Sequence, residues 1–152
     1  MVLRGHNGSV FSVAIDPLGR EVASGGHDGT VRIWPVGGGE PRVLRGHQGV
    51  VWSVGFSPAG RLLASSGNDG TLRIWSTTGE GDPVVFRGYQ ASVESVSFSA
   101  DGRSLLTTHD DGTVRVQACE VCGATQQVLA LGRARVTRQL TADERKTFGV
   151  RS

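Results

Sequence analysis

Apolar residues in this chain come in short runs split by turn residues, and few runs keep a helical period. Val10–Ile15 reads as a strand and is followed by a turn at Pro17, Leu18 and Gly19. Residues 21–24 form a second strand. His27, Asp28 and Gly29 make a tight turn, since Asp-Gly pairs tolerate positive φ. Residues 31–34 form a third strand and, after Gly37, Gly38 and Gly39, residues 42–44 a fourth.

The same pattern returns twice. Residues 3–34, 44–75 and 86–117 align without gaps, and Gly5, Gly46 and Gly88 mark a period of 41 and then 42 residues. Four short antiparallel strands per period describe one blade of a propeller. The expected fold is therefore all-β, with three four-stranded antiparallel blades at 3–43, 44–85 and 86–118. A CxxC segment and a helical basic tail occupy 119–152.

Composition agrees with this picture. There are 23 glycines in 152 residues, about twice the usual share. Each would cost a helix about 1 kcal/mol relative to alanine, which argues against a helical bundle. The 16 basic and 14 acidic residues give a net charge of +2, too small a field to draw the chain to nucleic acid or membrane. No apolar run has the length of a membrane span, and residues 1–10 lack the apolar core of a secretory signal. Two cysteines cannot build a disulfide-dense secreted scaffold, so a cytoplasmic location is expected. No phosphate-binding GxxxxGK[ST] loop, HExxH or GxSxG motif occurs, and no cofactor or catalytic role is expected.

Gly5-His6, Asp28-Gly29-Thr30 and Ile33-Trp34 recur as Gly46-His47, Asp69-Gly70-Thr71 and Ile74-Trp75. In these marks residues 1–118 resemble the WD-repeat β-propeller family. The aspartate after the tryptophan is missing: Pro35, Ser76 and Ala118 stand there. The third copy has Tyr89 for the histidine and Gln117 for the tryptophan. The resemblance implies a buried hydrogen-bond chain of His6, Ser24, Asp28 and Trp34, repeated by His47, Ser65, Asp69 and Trp75. Only Thr107 and Asp111 remain of it in the third blade, which is expected to be weaker. A Ser-His-Asp set also suits nucleophilic catalysis. Its occurrence in two successive blades argues for a structural role instead.

The three copies also align with one another. Val10, Ser12 and Val13 recur as Val51, Ser53, Val54 and as Val93, Ser95, Val96, so these positions serve the blade. Phe11, Trp52 and Glu94 differ at one position of the repeat, as do Ser9, Val50 and Ser92 before them. His27, Asn68 and Asp110 differ in the turn after the second strand. The family resemblance puts these nine residues around the top face, where protein partners dock, with Phe11 and Trp52 as aromatic anchors. The competing reading is ordinary packing between blades. Arg32, Arg73 and Arg115 share a position, as do Arg4, Arg45 and Arg87. Acidic residues are interspersed, so a solvated strand face is expected rather than a phosphate-binding stripe.

In the tail, Val128, Leu129, Leu131 and Val136 suit one side of a helix, and residues 141–144 match a capping box for a helix over 142–148. Residues 133–152 hold six basic and two acidic side chains. The helix is expected to dock on the last blade rather than bind nucleic acid. Cys119 and Cys122 have no further ligands to complete a zinc site and are read as an inert or occasionally oxidised pair. The tail is similar to the ends of large bacterial WD-repeat signalling proteins.

Three blades make a partial ring whose flanks need completing blades, from a longer chain, a second copy or another subunit. A fragment or split part of a larger propeller is the favoured reading. The expected function is a non-catalytic scaffold for protein partners. The alternative is a regulatory or sensor portion of a bacterial STAND-type NTPase or kinase signalling protein.

Overall fold

The computed structural model describes residues 1–122. The expected tail helices and the basic stretch at 133–152 lie outside the described residues.

The first repeat forms β1 (Val10–Ile15), β2 (Glu21–Gly26), β3 (Thr30–Pro35) and β4 (Arg42–Arg45). The second forms β5 (Val51–Phe56), β6 (Leu62–Gly67), β7 (Leu72–Ser76) and β8 (Val84–Phe86). The third forms β9 (Val93–Phe98), β10 (Ser104–His109) and β11 (Val114–Ala118). Each repeat is its own antiparallel sheet, with strands adjacent in chain order. Among the described residues no helix is long and apolar enough to cross a membrane.

Among the described residues the third sheet has three strands, β9, β10 and β11, and the stretch corresponding to β4 and β8 lies outside them. In the first two sheets the fourth strand is the segment just ahead of the next repeat. After β11 the chain makes a 3-10 turn at Glu120–Cys122, much as Gly38 and Gly79 close turns onto Pro35 and Ser76 ahead of β4 and β8. The Cys122 amide donates to the Cys119 carbonyl at 3.0 Å, and a disulfide joins the two cysteines.

The tight turns also differ in detail from expectation. Gly29, Gly70 and Gly112 have φ of 71°, 63° and 78°, whereas no non-glycine residue described has positive φ. Asp28 and Asp69 keep ordinary backbone and turn their carboxylates back onto the blade. The glycine alone absorbs the left-handed step.

The cores lie between sheets. Val51 and Val54 of the second sheet pack against Ala23, Val31 and Ile33 of the first. Val96 of the third packs against Ala64, Leu72 and Ile74 of the second, with Cys119 at the margin. Each fully buried aliphatic side chain contributes on the order of 2 kcal/mol. The first strands β1, β5 and β9 run side by side. Two hydrogen bonds link them: the Val54 amide donates to Ser12 Oγ at 3.1 Å, and the Val96 amide to Ser53 Oγ at 3.3 Å.

Candidate functional site

Each of the first two blades contains one polarised hydrogen-bond chain. In the second, Trp75 Nε1 donates to Ser65 Oγ at 2.8 Å. Ser65 Oγ lies 2.8 Å from His47 Nε2, and His47 Nδ1 lies 3.0 Å from Asp69. The first blade repeats these contacts with Trp34, Ser24, His6 and Asp28 at matching distances. With the aspartate ionised, the histidine Nδ1–H donates to it, and Nε2 accepts from the serine hydroxyl. All members then point the same way, which strengthens each bond. The spacing is that of a Ser-His-Asp triad, but Ser65 is 0% exposed and one of its lone pairs already receives the Trp75 N–H. That oxygen has no open approach for a substrate.

Both carboxylates are strongly acidic. Burial pushes Asp69 up, but hydrogen bonds from the Gln48 amide, the Thr71 hydroxyl and His47 outweigh it and hold the group at about 2. Asp28 is held lower still by the Asn7 amide, Thr30 and His6, again against the effect of burial. Burial lowers His47 below its ordinary value of 6.5, and Asp69 only partly restores it.

Stability should therefore fall in two stages on acidification. Folded His47 takes up a proton less readily than unfolded histidine, so its contribution is complete above pH 6.5 and is lost as pH falls through its lowered value. Asp69 and Asp28 contribute above the ordinary carboxylate value of 3.8 and lose their share as pH falls further. Urea unfolding midpoints on both sides of each value test this. A midpoint that stays flat from neutral pH down to 3.8 would contradict a neutral buried His47.

The third blade is built differently. Tyr89 stands at the histidine position, and Asp111 bonds Thr113 rather than an imidazole. Thr107 and Asp111 therefore do not share one chain, because no ring links them. Thr107 Oγ1 instead lies 2.9 Å from His109 Nε2. His109 stacks on Tyr89 with ring centroids 4.9 Å apart, and the Tyr89 hydroxyl donates to Gln117. His109 occupies the position held by Gly26 and Gly67. A Cβ there in the first two blades would come within 2.7 and 2.9 Å of His6 and His47 Nδ1. The imidazole thus enters from the opposite strand once tyrosine has replaced the usual histidine. Sequence reasoning missed His109, although the internal alignment already set it against two glycines.

The arginines at the third-strand position are not a solvated face. Arg73 is buried, lies 6.0 Å over the Trp75 ring and reaches Asp69 at 3.9 Å. Arg32 does the same with Trp34 and Asp28 at 5.8 and 3.9 Å. Their guanidinium groups cover Gly5 and Gly46, where a Cβ would come within 2.6 Å of them. Arg115, over Tyr89 and near Asp111, is more exposed. Arg4, Arg45 and Arg87 remain exposed.

The nine variable residues gather at one end of the sheets. The amides of His27, Asn68 and Asp110 donate to the carbonyls of Ser9, Val50 and Ser92 at 2.8, 2.9 and 3.3 Å. His27, Asn68 and Asp110 are all exposed. Phe11, Trp52 and Glu94 are each the extra residue of a β-bulge: pairing steps from Val10 to Ser12, Val51 to Ser53 and Val93 to Ser95 across adjacent residues of the second strand. The bulge lets two valines three residues apart face the neighbouring sheet and re-aims the residue between them. Phe11 and Trp52 meet edge to face with centroids 4.9 Å apart, and Trp52 Nε1 donates to Ser92 Oγ at 3.1 Å. Phe11 is 46% exposed, Trp52 half-buried and Glu94 exposed. The row thus packs between blades and still presents a surface. Among the described residues no group of three or more His, Cys, Asp or Glu could hold a metal.

The WD domain, G-beta repeat profile matches residues 1–35, 38–76 and 83–116. The chain belongs to the WD-repeat family. Its WD repeats are similar to segments of the ribosome biogenesis protein erb1 of Neurospora crassa, 69% identical over 35 residues, and ERB1 of Chaetomium thermophilum, 60% identical over 35 residues. Each match covers 23% of this chain, and the chain spans only 4% of the length of either relative. A segment of that size is one WD repeat, so the likeness reflects blade architecture. WD repeats of this kind suggest a protein–protein interaction scaffold.

Proposed function

We propose that this chain is a non-catalytic docking module whose protein partner sits on the row Phe11, Trp52 and Glu94 and on the flanking turns at His27, Asn68 and Asp110. The observation that carries this reading is the bulge shared by all three blades. It spends an irregularity in each sheet on a side chain that differs every time, while the valines beside it stay constant. A purely structural position would carry one residue type. A half-exposed Phe–Trp pair beside a carboxylate suits a partner with an apolar anchor and a basic neighbour.

Photo-crosslinking in cells tests the proposal. A benzoylphenylalanine at Asn68 should capture a partner. One at Ala59, at the other end of β6, should not. Phe11→Ala combined with Glu94→Lys should lower the Asn68 yield at least about tenfold, the loss of one modest hot spot. Equal capture at both ends, or a yield insensitive to the double variant, would remove the proposal.

A further inference from the structure

We propose that the Cys119–Cys122 disulfide is a redox clasp on the junction between the second and third blades, opened by dithiol reductants through attack on Cys122.

The clasp joins a residue fixed by the blade to one held only by the turn. Cys119 is buried and belongs to the junction core with Ala64, Leu72, Ile74, Val96 and Leu105. Its amide donates to the Arg103 carbonyl at 2.8 Å. Val36 and Thr77 hold the same position in the earlier blades, and their amides donate to the Arg20 and Arg61 carbonyls at 2.8 and 3.0 Å. That bond is part of every blade, so Cys119 keeps its place whether or not its sulfur is bonded. The Cys122 amide, by contrast, bonds within the turn itself. The corresponding turns close from Gly38 onto Pro35 and from Gly79 onto Ser76. The same step in the third blade would run from Val121 onto Ala118. The turn instead closes one residue later, from Cys122 onto Cys119, with their Cα atoms 5.2 Å apart. Val121 and Cys122 are thereby half-buried against the junction core.

The two sulfurs differ in reach. Cys119 is 5% exposed, whereas Cys122 is half-buried. A thiolate of the reductant therefore attacks Cys122 Sγ, and the protein S–S bond breaks as a mixed disulfide forms. Cys119 Sγ leaves with the electron pair and takes up a proton. The second thiolate of the reductant then attacks the reductant sulfur of the mixed disulfide, and Cys122 Sγ leaves and is protonated in turn. Two electrons and two protons pass to the protein: its disulfide becomes two thiols while the dithiol becomes a disulfide. A pair three residues apart closes a very short loop, for which disulfide stabilisation is at the low end, and this favours exchange over permanence. Opening releases Val121 and Cys122 from the second junction. The first junction, filled by Val51 and Val54, contains neither cysteine.

Amide hydrogen exchange on the full chain, read residue by residue with and without dithiothreitol, tests the proposal. The Val54 amide reports the first junction and the Val96 amide the second, since each donates to a serine of the preceding blade. Reduction should speed exchange at Val96 about tenfold and leave Val54 unchanged. The double variant Cys119→Ser with Cys122→Ser should exchange at Val96 like the reduced chain and ignore dithiothreitol. Mass spectrometry of the single variants reads the direction of attack. Glutathione disulfide should modify Cys122 in Cys119→Ser at least about tenfold faster than Cys119 in Cys122→Ser. If a serine variant fails to fold, the alanine variant takes its place. A disulfide that resists excess dithiothreitol in the folded chain, unchanged exchange at Val96, an equal change at Val54, or faster modification of Cys119 would overturn the proposal.

Discussion

Ser65→Ala is expected to destabilise the protein by about 2–4 kcal/mol, measured by urea unfolding with tryptophan fluorescence. The hydroxyl is fully buried and serves two partners, receiving the Trp75 N–H and donating to His47 Nε2. Alanine leaves both ring nitrogens buried without a partner, and each such group costs about 1–3 kcal/mol. Ser24→Ala should act in the same direction, since Ser24 has the same two partners. Thr107→Ala should cost about 1 kcal/mol for its hydrogen bond, with a further loss for the missing methyl, because only His109 depends on that hydroxyl. A loss below about 1 kcal/mol for Ser65→Ala would show that the hydroxyl is not the hub of the blade.

Gly67→His should destabilise by at least about 3 kcal/mol, near the upper end for overpacking. Even a Cβ at this position meets His47 Nδ1 and the Val50 carbonyl oxygen at 2.9 Å. The larger ring must displace His47 and break its bonds to Ser65 and Asp69. The third blade holds a histidine at this position only with Tyr89 in place of the usual histidine. Adding His47→Tyr to Gly67→His should therefore recover stability, even though His47→Tyr alone is destabilising. A coupling of about 1–3 kcal/mol in the double-mutant cycle is the expected result. Strict additivity would mean that the two positions do not exchange roles.

Much of the fold is legible because the repeat reports it three times. The first strand, Val10–Ile15, has the limits its apolar run implies, and the later strands differ by at most two residues at an end. Hydrophobic alternation and Asp-Gly turns act over a few residues, which a single sequence displays directly. For the third sheet the described residues give β9, β10 and β11, and the stretch that corresponds to β4 and β8 lies outside them.

The candidate site was legible in membership but not in geometry. Internal comparison singled out Phe11, Trp52 and Glu94. The spacing of Val10 and Val13, three residues apart on one face, was the available sign of a bulge, because an unbroken strand returns to the same face every two residues. The arginines looked solvated because charge alone suggests water. Arg32 and Arg73 in fact lie over a ring two residues along the same strand and near the aspartate four residues before them.

By itself, then, the sequence determined the number of repeats, the strand order within each and the residues that vary between them, since these derive from local pattern and copy number. Tertiary structure alone decided that His109 replaces the absent imidazole, that Arg73 is buried, and that Phe11 and Trp52 meet between blades. Those outcomes depend on which surface lies opposite. Neighbouring blades present surfaces far apart in the chain, so their fit is settled only when the sheets pack.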